Sequence, residues 1–365
     1  VLYFPASALH FLTLLTALHG SLTDSVLLQK TKKTSTLLVA MVKTQDDMGR
    51  THTMLKRIAY GVTLLVVGMA AVFPAMLGQE QVQMVAGVIM LLGIPHGATD
   101  HLIFERLSQP FLGAKKRGQF YSRYLMLVFV YALVWWAVPI AALIFFLLIS
   151  AYHFGQSNWT LGAVTFPNRT AAALAYWSSG CFTLFFPLVW QYEEAASISS
   201  KMVGETMPVL SLTWRSGICC MLLIVNVLLL IYWNVTGCIT RHRFWEEIIH
   251  LMLLSLLFAF VPLLLGFVIY FVFWHALSSI IEQIQFFQSR SKKYNWRQYV
   301  QQAIPLSGIA VGGLLVFVWL KNVLALPSGF SLLFIFIAII TLPHMLLIEQ
   351  LYEEWKKEDT SIIVS

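Results

Sequence analysis

His96, Asp100 and His101 in GIPHGATDHL, His153 in SAYHFGQSNW, His275 in FVFWHALSSIIEQ and His344 in TLPHMLLIEQ all lie within long apolar runs. A polar or ionisable group in hydrocarbon is costly, and where one is retained it faces a cavity, a partner or a bound ion. Neutral imidazole is the commonest nitrogen ligand for transition metals. Several histidines at one depth in a dry bundle therefore make a natural site for iron, with positions left open for a small oxidant. A single intramembrane histidine is well explained as a hydrogen bond between helices. Four on separate helices at similar depth argue instead for one shared site.

Helical spacing sorts the neighbours of these histidines. Asp100 follows His96 by four residues and is expected on the same face, where it would orient a histidine ring, whereas His101 at i+5 is rotated away and is assigned to the headgroup level or to a hydrogen bond. Ser279 and Glu282 follow His275 at i+4 and i+7 and share its face. Pro95 and Pro343 immediately precede His96 and His344, and each disturbs the backbone hydrogen bonding one turn earlier, which can open a bundle beside the site. His10, His19 and His52 precede the first span, His242 lies in a basic loop and His250 starts a span at the membrane surface. None of these five is given a role.

The elements that must carry these side chains follow from composition. Of 365 residues, 58% are hydrophobic and 11% charged, with a mean hydropathy of +0.75, against about 25% charged in a soluble domain. The expected fold is an all-α, polytopic transmembrane helix bundle of about 8–10 spans. Runs long enough to cross the hydrocarbon core fall near 58–78, 84–103, 121–138, 140–155, 171–191, 215–236, 247–263, 266–287, 303–320 and 330–350. Pro139, and the stretch from Pro262 to Gly266, leave open whether the adjoining runs are separate spans or single broken helices. In this scheme the second, fourth, eighth and tenth spans run in the same direction and carry the four histidines.

Residues 1–57 form an N-terminal segment. The first forty start at Val1 and read as a leader that is processed or not native, with Met41 as the preferred start. Residues 58–350 are the transmembrane catalytic domain and 351–365 a tail. Lys and Arg concentrate in alternate loops, among them Arg106, Lys115, Lys116, Arg117 and Arg123, then Arg290, Lys292, Lys293 and Arg297, while the opposite side holds Lys201, Arg215 and Lys321. By the positive-inside rule this places both termini in the cytoplasm of a multi-pass protein of the cell (inner) membrane. The same distribution accounts for the net charge of +7 without nucleic acid. The four cysteines, Cys181, Cys219, Cys220 and Cys238, have no CxxC spacing and suggest neither a disulfide framework nor a thiolate metal site.

The segments PHGATDH, YHFG, FVFWHALSS and TLPHMLLIE, in this order across residues 85–350, resemble the Brp/Blh family of membrane β-carotene 15,15′-dioxygenases, the retinal-forming enzymes found beside microbial rhodopsins. The resemblance implies an Fe(2+) enzyme that uses O2 to split the central double bond of β-carotene into two retinal molecules, with hand-over of retinal to a rhodopsin. It maps family ligands onto His96, His153 and His275, and implies no catalytic group beyond the metal site. The family usually reads WHxxxH, and here the second histidine of that motif is replaced by Ser279. His344 or a water then completes the coordination, or this member has lost or changed its activity. Asp100, Ser279 and Glu282 are expected around the ligands. The alternatives are a haem carrier, a non-catalytic retinoid- or carotenoid-binding protein, and a di-iron desaturase. The last needs HxxxH and HxxHH boxes, which this sequence lacks.

Overall fold

The computed structural model describes residues 51, 53–77, 87, 93–107, 114–160, 164, 166–290, 294–324 and 330–364. All regular structure among them is helical. The chain divides after Leu55 into two units, and the second, Lys56–Ser365, carries the features discussed here. Up to Arg50, the segment set apart at the N-terminus lies outside the described residues, as do residues 84–86 and 88–92 of the expected span 84–103.

The chain order is α1 (Thr53–Val72), a short 3₁₀ turn Ile94–His96, α2 (Asp100–Leu107), α3 (Ala114–Ala137), α4 (Pro139–Thr160), α5 (Arg169–Trp190), α6 (Tyr192–Val203), α7 (Leu212–Val235) and α8 (Arg241–Phe260). A near-continuous rod follows, made of α9 (Leu263–Ile269), a π-helical stretch Tyr270–Ala276 and α10 (Leu277–Arg290). Then come α11 (Trp296–Leu324) and α12 (Phe330–Val364). The expected tail 351–365 thus continues α12 through Val364. Eight helices among the described residues are long and apolar enough to cross a membrane, counting Leu263–Gln288 as one. The run expected at 247–263 belongs to α8, which is not among the eight because RHRFWEEIIH occupies its first half.

Local chemistry sets the boundaries. Pro139 opens α4 at a position where its missing N–H costs nothing, so the two runs it separates are distinct helices. At the other ambiguous junction, Val261 takes an extended conformation between α8 and α9, and Pro262 caps α9. Asn168 accepts from Ala171 N–H at 2.8 Å and Thr240 from Arg243 N–H at 3.2 Å, which caps α5 and α8. Gly204, with φ +76°, ends α6 in the left-handed conformation that glycine adopts without strain.

Packing separates lipid-facing from interior elements. On α3, Met126, Phe129 and Trp136 are exposed, as are Met221, Ile224 and Leu228 on α7 and Ile304 and Leu315 on α11. Exposed apolar rows of this kind suit hydrocarbon as solvent. The Leu263–Gln288 rod is the most enclosed span, with Val268, Tyr270 and Val272 packed among Phe182, Leu257 and Phe258. Helices α4 and α5 meet backbone to backbone at Gly155 and Gly180. A Cβ at Gly155 would run into the carbonyl of Tyr176, and one at Gly180 into that of Ala151. Small residues at such crossings let membrane helices approach closely, and here the approach fixes the helix that carries His153.

Candidate functional site

The four histidines singled out in the sequence come from four elements and meet in the interior. His96 ends the 3₁₀ turn, His153 lies on α4, His275 on the π-helical stretch and His344 on α12; all four are buried. Ring centroids are 5.5 Å apart for His96 and His275, 5.1 Å for His275 and His153, 5.8 Å for His153 and His344, and 5.0 Å for His344 and His96, which closes a four-membered circuit. Neighbouring rings stand nearly perpendicular, with interplanar angles of 75–88°. Phe154 and Phe271 pack edge-on or stacked against His275 and screen this circuit with aromatic surface.

Hydrogen bonds decide which nitrogens remain for chemistry. His344 donates Nδ1–H to Asp100 Oδ1 at 2.7 Å, so its Nε2 carries the lone pair. His96 directs Nδ1–H to the carbonyl of Gly93, with the same consequence for its Nε2. Nε2 of His153, Nδ1 of His275 and Nε2 of His344 are buried with no hydrogen-bond partner among the described residues. Buried polar atoms are rarely left so, and three in one small volume point to a shared occupant.

The donor set can be tested against a metal ion. With metal–nitrogen bonds of about 2.0–2.1 Å, adjacent imidazoles on one ion have centroids roughly 4.5–5.5 Å apart, close to the observed separations. Yet among the described residues no group of three or more His, Cys, Asp or Glu stands ready to hold an ion. The two observations measure different things: the helices set where the rings lie, while convergence of the nitrogens depends on side-chain rotation. Ring placement, unspent nitrogens and the Asp100–His344 pair fit a transition ion, the last because ligating histidines characteristically give their other N–H to a carboxylate or carbonyl.

The expectation that His96 and Asp100 share a helical face does not hold. Pro95 and the turn at 97–99 interrupt the helix, which restarts at Asp100. Released from the i+4 relation, the Asp100 carboxylate accepts from His344 Nδ1 and also from Tyr124 Oη at 3.1 Å. Ser279 and Glu282 are buried on α10. Glu282 accepts from Tyr352 Oη at 2.8 Å, a partner on α12 that is not one of the histidines. Pro343 lies inside α12, which runs on through it. His101, half-buried, stacks on Tyr121 at 6.5 Å. His250 sits 3.1 Å from Glu247 and packs on Tyr60 and Trp274, apart from the circuit.

A buried network missed in the sequence holds the His96 turn in place. Gln283 Nε2 donates to the carbonyl of His96 at 2.8 Å, and Tyr299 Oη donates to Gln283 Oε1 at 2.9 Å and lies 3.2 Å from the carbonyl of Pro95. Thr99 Oγ1 donates to the same Gln283 oxygen at 2.5 Å. The available signal was an amide on an intramembrane span; its partners are brought to it by the fold.

All four histidines face one cavity of about 510 Å³. Its walls are largely apolar, with Leu125, Val128, Phe146, Leu184, Phe267 and Ile337 prominent, and it reaches from Phe120 and Tyr121 on α3 to Pro187 and Leu188 on α5 and Ala195 and Met202 on α6. An apolar cavity with a few convergent polar groups is the usual form of a small-molecule site.

Residues 87–352 match the family described as Beta-carotene 15,15'-dioxygenase. The chain is also similar to a protein of an uncultured marine bacterium, 66A03, named Beta-carotene 15,15'-dioxygenase, with 26% identity over 278 residues, 73% of this chain and 92% of the relative. No solved structure matches.

Proposed function

This chain belongs to the β-carotene 15,15′-dioxygenase family, and from that membership and the histidine circuit we propose that it cleaves the central double bond of β-carotene with O2 to give two retinal molecules. Each carbon of the broken double bond gains one atom of O2, so the reaction needs no leaving group. The observation that carries the reading is the gathering of His96, His153, His275 and His344, with unspent nitrogens on three of them, on the wall of one apolar cavity.

We assign the four histidines as the groups that would hold Fe(2+), His344 standing in for the ligand that Ser279 cannot supply. Iron(II) held by neutral imidazoles supplies activation of O2. The protein's own residues do the rest. Asp100 and the Gly93 carbonyl fix the tautomers of His344 and His96, and Gln283 and Tyr299 hold the backbone that carries His96. Phe154 and Phe271 exclude water from the rings, and the apolar walls hold a polyene by burial and orient its middle toward the histidines. A hydrocarbon substrate dissolved in the bilayer reaches such a cavity without first entering water.

The eight apolar helices suit a multi-pass membrane protein. Counted over the ten apolar runs of the sequence, the loop charges favour the cell membrane with both termini cytoplasmic, and a lipid-soluble aldehyde product suits hand-over to a rhodopsin in the same bilayer. Expression in a β-carotene-producing bacterium tests the reading: loss of orange colour with accumulation of retinal is expected, and unchanged carotene would overturn it.

A further inference from the structure

We propose that the Ser150 hydroxyl is the hydrogen-bond donor that receives an aldehyde oxygen of the retinal product, an inference that rests on the reading above. On α4 the cavity-facing stripe is Leu143, Phe146, Leu147, Ser150, His153 and Phe154. Ser150 is its single polar member besides the histidine, and it lies one turn from His153 on the same face, about 4.5 Å along the axis.

The hydroxyl is unspent. Ser150 is 2% exposed, and its Oγ has no hydrogen-bond partner among the described residues. Four helical hydroxyls among the described residues bond to a carbonyl one turn back: Ser255 to Leu251 at 2.6 Å, Thr341 to Ile337 at 2.6 Å, Thr183 to Ser179 at 3.0 Å and Ser178 to Ala175 at 3.2 Å; Ser307 Oγ on α11, which does not line the cavity, shares the unpaired state of Ser150. Thr341 lines the same cavity and has used its donor this way. Ser150, on the wall of that cavity, has made no such bond.

A buried hydroxyl without a partner is unfavourable, and β-carotene, a hydrocarbon, has no acceptor to satisfy it. Cleavage creates two acceptors at the former central carbons, beside the histidines, where one comes within reach of Ser150. The hydroxyl donates a hydrogen bond and transfers no proton. It therefore discriminates between substrate and product by their chemistry, and it stabilises oxygen as oxygen is added to the chain.

The test uses the full chain in lipid nanodiscs without added metal, with all-trans-retinal and β-carotene titrated separately against tryptophan fluorescence, and the carbonyl stretch of bound retinal read by Raman spectroscopy. For Ser150→Ala, retinal affinity is expected to fall about 5- to 10-fold and the carbonyl stretch to rise, with β-carotene affinity unchanged. Equal weakening of both ligands, or no change for retinal, would overturn the proposal. Wild-type protein that binds neither ligand would remove the underlying reading, a result distinct from a Ser150-specific failure, and the proposal with it.

Discussion

At His344 the Nδ1–H is engaged by the Asp100 carboxylate at 2.7 Å, which leaves Nε2 for the shared space and makes Asp100 the residue that orients that ring. Asp100→Asn keeps an acceptor but removes the charge, and is expected to weaken iron binding about 10–100-fold, measured by competition with a chelator, with the protein still folded. His153→Ala, His275→Ala and His344→Ala are each expected to abolish retinal formation and lower bound iron. A variant that retains wild-type retinal yield would remove its residue from the ligand set. Ser279→His introduces a WHxxxH pattern on a buried face of α10 and is expected to retain or raise activity. A folded, inactive product would show that a histidine at 279 has no place among the ligands.

Two departures from α-helical geometry shape the site at the level of elements. The 3₁₀ turn at Ile94–His96 and the turn after it separate His96 from Asp100, and the π-helical stretch Tyr270–Ala276 carries His275. Single-turn π segments inside helices are frequent at functional sites. The four histidines were legible in the sequence because imidazole in an apolar run is conspicuous whatever the local backbone. The i+4 pairing of His96 with Asp100 was not reliable, since it presumes an unbroken helix across Pro95 and Gly97. Tyr124 and Gln283 escaped notice because their partners, a carboxylate 24 residues away and a carbonyl 187 residues away, are brought to them by packing. The α4–α5 crossing makes a separate prediction. Gly180→Ala places a methyl group against the Ala151 carbonyl, displacing the helix that bears His153 and Ser150, and overpacking of this kind costs about 1–3 kcal/mol. A lower melting temperature in detergent and reduced retinal yield are expected, while Gly217→Ala, where a Cβ meets nothing within 4 Å, serves as the neutral control.

For the molecule as a whole, the bundle places a water-poor cavity beside a cluster of nitrogen donors inside a lipid-facing shell. Substrate capacity and metal binding are therefore separable. Ala195 lines the cavity from α6, a helix that carries none of the four histidines, and Ala195→Trp is expected to block carotene cleavage while bound iron stays at the wild-type level. Loss of iron in that variant would show that cavity and metal site are not independent. The proposed site requires imidazoles from four distant parts of the chain to hold one ion. X-ray absorption spectroscopy of the purified protein loaded with iron(II), combined with metal analysis, tests it most directly. One iron per chain is expected, with the outer-shell scattering of several imidazoles, diminished in His344→Ala. Iron bound without imidazole scattering, or no retained iron, would contradict it.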